Sequence, residues 1–245
     1  MIEDIKTMMW KELRELLAMH GSLKGAIVRF GITFGIMGIY LPLNFGRSFI
    51  EMPYFLFIYV WTSMFMGIGI VLDSFAGERE RHTLETLLAS RLSDRAILYG
   101  KIGAAILYGF GMTLMLIVLG LVTVNVAFWN GQISVFPLEA FAFALVAALL
   151  LNIFFTALGV LVSLRAPTVR QGSETLMVAV IAIAVIPFIL FFLVPDEWKD
   201  KLMDAVISAG MTNIGIGVLV VLVAMCAIAL YAATLRFRRD RLILD

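Results

Sequence analysis

Apolar residues fill six long runs, and most charged residues fall in the gaps between them. Each run approaches the roughly 20 residues that carry a helix across a ~30 Å hydrocarbon core. The pattern predicts spans near 25–43, 54–75, 100–128, 136–164, 174–194 and 212–235. The third and fourth runs exceed that need, which leaves room for tilt, kinks or extension beyond the bilayer. Backbone polar groups find no water at such depth, so helices must satisfy them internally. Alternation with period two is missing, which excludes an outer-membrane barrel. The fold class is therefore all-α integral membrane, a single domain over residues 1–245 with six transmembrane helices.

Two polar stretches outside the runs also read as helices. Residues 2–20 set Ile2, Ile5, Met9, Leu13, Leu16 and Leu17 on one side, with Lys6, Lys11, Arg14 and Glu15 on the rest. The stretch is too short and charged to span, and Trp10 suits a helix lying in the interface. Gly21-Ser22 ends it. The segment 195–210 has Trp198, Leu202, Val206 and Ala209 on one face, Asp196 to cap its start and Gly210 to end it.

The longest charged interruption runs from Asp73 to Lys101, DSFAGERERHTLETLLASRLSDRAILYGK. Leu84, Leu87, Leu88 and Leu92 recur within it at helical spacing. Glu78, Arg79, Glu80, Arg81 and Glu85 crowd its start, where acidic residues suit the positive end of a helix dipole. Ser93-Asp94 reads as a break and a new N-cap. By physics alone two readings stay open: a solvated helix resting on headgroups, or a docking helix for a soluble partner.

The residues 78–88, ERERHTLETLL, followed by Gly100-Lys101 at the head of an apolar run, resemble the cytoplasmic loop of ABC-2 type permeases, the membrane subunits of ABC exporters. The family pattern is close to E-R-E-x-G-T-L-E-x-L-L with a proline a few residues on. Glu78, Arg79, Glu80, Thr83, Leu84, Glu85, Leu87 and Leu88 match it. His82 stands where Gly is common, and Arg91 lies about where Pro is common. The first departure alters what the turn tolerates, and the second removes a helix stop. The resemblance implies an interfacial N-terminal helix, a cytoplasmic coupling helix after the second span, and short helices between the last two spans. It also implies a separate ABC ATPase that binds ATP and Mg, docked through Glu78, Arg79, Glu80, Thr83, Leu84, Glu85, Leu87, Leu88 and Leu92. A second permease copy or a related permease would complete the working unit.

Composition agrees with the membrane reading: 62% of residues are hydrophobic and 15% charged, against roughly 25% charged in soluble domains. The net charge of +1 says little about partners, but its placement sets topology. With the N-terminus inside, sixteen of the nineteen Lys and Arg fall on the cytoplasmic side, and only Arg47, Lys199 and Lys201 fall outside. Both termini are then cytoplasmic in a multi-pass protein of the cytoplasmic membrane, and the first span, without a signal-peptide pattern before it, targets the chain. No ionised side chain is expected deep in a span, which favours an amphiphilic or apolar cargo over a proton-coupled path.

Inside the spans, Gly31 and Gly35 form a small-x-x-x-small pair, read as packing within one subunit ahead of a dimer seam. Asn125 and Asn152 are the notable amides, Pro167 ends the fourth span, and Pro187 is expected to kink the fifth. Enzymatic chemistry is missing. Gly100-Lys101 is not a phosphate loop, because Arg95 occupies the first glycine position and Ile102 replaces the hydroxyl residue. His20 and His82 show no metal spacing, Cys226 stands alone, and nothing points to nucleic acid. The chain is thus expected to be no enzyme and to hold no cofactor. The alternatives from other classes are a non-transporting membrane scaffold or immunity-type protein, and a secondary carrier.

Overall fold

The computed structural model describes residues 1–18, 31–83, 87, 89–193, 195, 198, 199 and 210–237, and every regular element among them is helical. Helix α1 covers Ile2–Ala18. Helix α2, Gly31–Phe45, is apolar and shorter, with a widened π-wound stretch at Phe34–Tyr40. Then follow α3 (Tyr54–Glu80), α4 (Asp94–Ala127), α5 (Leu138–Ser163), α6 (Val169–Leu193) and α7 (Met211–Arg236). Among the described residues, four helices are long and apolar enough to cross a membrane: α3, α4, α5 and Thr212–Arg236 of α7. The 25-residue α6 matches the expected fifth run and continues through Pro187. Residues 25–30 of the first predicted span, and most of 195–210, lie outside the described residues.

Helix α5 sits at the centre, packed on α3, α4 and α7, while α1 lies along α4. Three apolar clusters hold the bundle. Met8, Phe75, Ile97, Leu98, Val160 and Phe237 meet at the end that carries α1, here termed the basic end. Phe49, Tyr59, Leu116 and Phe136 fill the opposite end, and Met64, Phe155, Leu176 and Cys226 belong to the third cluster. Outward faces stay apolar, as at Ile36, Phe57, Val118, Ile181 and Val220. Such a surface suits hydrocarbon, since a soluble monomer rarely exposes large contiguous apolar patches.

Several polar groups inside the bundle are paired between elements. Asn152 on α5 donates to the carbonyl and hydroxyl of Ser63 on α3 at 3.0 and 3.1 Å, and its Oδ1 accepts from Thr156. Gly109 on α4 makes room for that amide: a Cβ there would lie 2.5 Å from Asn152 Nδ2. At the opposite end, Arg47 donates twice to the Phe128 carbonyl at the close of α4, at 3.1 and 2.6 Å. Asn125 exchanges hydrogen bonds with the Ser134 backbone.

Two expectations need correction, and α1 shows a face the sequence did not reveal. The second apolar helix does not stop near residue 75 but turns through a π-wound stretch, Asp73–Gly77, and ends at Glu80. The protein-facing side of α1 is centred on Met8 and Glu12, a face the sequence pattern did not single out. Neighbouring α4 supplies a partner for a carboxylate, whereas Ile2 and Trp10 stay exposed. Gly31 and Gly35 do not pack within the subunit among the described residues, for a Cβ at either would meet nothing within 4 Å. Gly38 alone of that series does, against Leu119 and beneath Thr123, whose hydroxyl donates to its carbonyl.

Candidate functional site

The charged triplet at the end of α3 faces three ways. Glu78 turns inward and is buried, with Oε1 2.9 Å from the Lys101 ammonium on α4. Arg79 reaches across to the turn after α5 and donates to the carbonyls of Leu164 at 2.9 Å and Ala166 at 3.4 Å. Those carbonyls lie past the last turn of a helix, where no intrahelical donor reaches them. Glu80 remains exposed and accepts from the Val169 backbone N–H at 3.3 Å, at the first residue of α6. A carboxylate is favoured there by the unpaired N–H groups and by the dipole. One short run of sequence therefore fastens α3 to α4, α5 and α6.

The chain leaves α3 through a helix-ending motif. His82 N–H donates to the Arg79 carbonyl, and Thr83 N–H to the Glu78 carbonyl at 2.9 Å. This paired pattern normally needs a residue in the left-handed region, usually Gly, and His82 takes it with φ 56°. The substitution that separates this sequence from the family pattern thus keeps the turn and carries the strain of a side chain there. The Thr83 hydroxyl adds a second bond to the Glu78 carbonyl. Leu84, Glu85 and Leu88 lie outside the described residues. Leu87 and Leu92 are half-buried against the apolar cluster around Met8, Phe75 and Ile97.

Arg91 in place of proline does not let a helix run on. Leu92 N–H donates to the Ser90 hydroxyl, and Ser93 caps α4 by accepting from Ala96 N–H at 3.3 Å, the cap expected from the sequence. Local side-chain bonds of this kind offer the backbone an alternative to helix continuation. Ala89, Arg91 and Arg95 are exposed around this turn.

Behind the segment lies a buried polar knot. The Lys101 side chain is 0% exposed. Its ammonium meets Glu12 Oε1 at 2.9 Å, Glu78 Oε1 at 2.9 Å, the Ser74 carbonyl at 2.9 Å and the Ser74 hydroxyl at 2.8 Å. That hydroxyl donates onward to Glu12 Oε2 at 2.8 Å. The Phe75 ring stands 5.2 Å from the ammonium and itself packs edge-on against Phe237. Gly100 explains how α1 comes so close, since a Cβ there would sit 2.6 Å from Met8 Cβ. The Gly-Lys pair in the sequence thus serves one contact: glycine admits α1, and lysine binds its carboxylate.

At the rim, Lys11 lies 3.2 Å from Glu15, 3.6 Å from Glu12 and 3.8 Å from Glu78. Burial works against its ammonium, but these carboxylates outweigh it and hold its pKa above the usual lysine value. Among the described residues no cluster of His, Cys, Asp or Glu has the arrangement to hold a metal. What the region offers instead is an ordered attachment point for a polar segment.

Glu12 and Ser74 escaped sequence reasoning. The usable signal was Lys101, whose neighbours Ile102, Gly103, Ala104 and Ala105 are apolar: a cation so placed demands an acid from another element. No curated protein matches the chain. The sequence model of one family does, over residues 3–195, most of the chain and including α1, the capped end of α3 and the knot. On that match the chain belongs to the ABC-2 type transporter family, as a membrane component of ABC-type transport.

Proposed function

We propose that the chain is the permease subunit of an ABC exporter, moving an amphiphilic or apolar substrate across the cytoplasmic membrane with ATP hydrolysed by a separate subunit. The arrangement at the basic end carries the reading: the segment after Glu80 hangs from a point fastened at once to α1, α4, α5 and α6. A force applied to that segment meets all of these helices instead of one flexible loop. The basic end is the cytoplasmic end, six helices cross the bilayer, and a second permease copy completes the pathway. Docking rests on 83–92, with Glu80 at its edge; Glu78 acts from inside by holding the segment in place, and Arg79 does the same through the α5–α6 turn.

The length of α4 supports this placement. At 34 residues it runs roughly 51 Å at the usual rise, well beyond a ~30 Å hydrocarbon core. Its start stands roughly 10 Å beyond Lys101 by the same rise, so Arg91 and Arg95 are carried clear of the hydrocarbon.

Copurification tests the proposal. Wild-type permease is expected to bring down a subunit that hydrolyses ATP, while the permease alone hydrolyses none. The exposed double variant Ala89→Glu, Arg91→Glu should insert normally yet recover several-fold less of that subunit. Equal recovery with wild type and the variant would remove this segment from docking, and no ATPase with the wild type would remove the exporter reading.

A further inference from the structure

The last part of α3 contains a weak point in the path from docking segment to span. Residues Asp73–Gly77 are π-wound between ordinary helix before and after them. Such a turn spaces its hydrogen bonds more widely and commonly marks a bend or functional site in a helix. Lys101 binds both within the weakness and just beyond it. It meets the Ser74 carbonyl and hydroxyl within the π-wound turn and Glu78 immediately after it. The second carboxylate partner, Glu12, comes from α1.

We propose that Lys101 is a positioning residue for coupling. It latches this turn of α3 so that α1, the capped end of α3 and the start of α4 move as one body. An ammonium suits the task because its three hydrogens reach acceptors from separate elements at once, at 2.8–2.9 Å. An apolar contact is non-directional and would let the same surfaces slide. The seal of Phe75 and Phe237 keeps water from competing for the ammonium. The proposal rests on the permease reading for its use, but the latch itself is a property of this chain.

The experiment separates a latch from plain stabilisation. Removing one partner of a buried ion cluster strands the others, whereas replacing the cluster by apolar groups is often neutral for stability. The full-length chain is therefore compared as wild type, as Lys101→Arg and as the triple variant Glu12→Met, Glu78→Met, Lys101→Met. Each carries Cys226→Ser and spin labels at Lys6→Cys on α1 and His82→Cys at the end of α3. In lipid vesicles without any ATPase, wild type should give one narrow distance distribution between the labels. The triple variant should insert and resist heat comparably yet give a broad or split distribution, with Lys101→Arg nearer wild type.

A second readout uses ATP with the copurified ATPase. The permease-dependent change in its hydrolysis rate should fall about fivefold or more in the triple variant, the lower range of typical coupling between sites. A triple variant with the wild-type distance distribution would overturn the latch, whatever partner the permease binds. A triple variant that fails to insert is replaced by Ser74→Ala with Glu78→Gln, which must broaden the distribution or the proposal is wrong. Failure of the wild type to recover any ATPase would count against the permease reading and leave the distance result to decide the latch.

Discussion

Two buried polar knots among the described residues do different work. Asn152 joins α5 to Ser63 on α3 beside Gly109 on α4, all within the membrane-crossing helices and all with neutral groups. Lys101 joins α4 to α3 and to α1, and it does so with an ion. A neutral amide in a bundle adds modest stability and fixes which helix faces meet. A buried ammonium cannot be left alone, so each of its partners is held in place by the others. The first knot fixes helix packing, and the second fixes what lies outside the spans relative to them.

The sharpest way to break the contrast is to remove each centre singly. Lys101→Met leaves Glu12 and Glu78 buried without their cation, and it should cost about 3–5 kcal/mol, read as loss of folded protein on heating in detergent. The neutral knot should be more sensitive to crowding than to deletion. In Gly109→Ala the new methyl would stand 2.5 Å from Asn152 Nδ2 and 3.0 Å from the Gly67 backbone nitrogen, where little can give. A cost of about 1–3 kcal/mol follows. Asn152→Ala should cost less, about 0.6–2 kcal/mol, since hydrogen bonds between membrane helices are individually weak. A larger loss from Asn152→Ala than from Lys101→Met would reverse the assignment of roles.

The smallest expected effect lies at the turn beneath the ionic knot. His82 holds φ 56° with a side chain that disfavours it, so His82→Gly should stabilise the protein by about 1 kcal/mol. That gain is reduced because glycine also loses more freedom on folding. The measurement is again thermal, and a clear destabilisation would show that the His82 side chain makes a contact that outweighs the backbone strain.

Much of the architecture was legible in the sequence. The apolar runs located α3, α4, α5, α6 and α7 because hydrocarbon tolerates long apolar helices with all backbone groups paired. Ser93 was legible as the cap of α4 because capping is a local bond, here over three residues. His82 was legible as a departure at a turn because the left-handed conformation is a demand on one residue. Leu87 and Leu92 were legible as members of an apolar stripe, but helical spacing reports that a face is apolar and not which surface it meets. In this fold both rest partly on the chain's own core.

What only the tertiary structure decided is the fate of the charges. Lys101 and Glu12 are separated by 89 residues, and Ser74 and Glu12 by 62, yet they share one set of hydrogen bonds. The sequence shows Lys101 only at the head of an apolar run, where an ion drawn away from water needs a partner. It could not name the acid, because several glutamates stand at helix ends and spacing favours none of them. The choice came from packing: Gly100 lets α1 approach, the π-wound turn presents Ser74 and Glu78, and the ammonium takes whichever oxygens arrive within 3 Å.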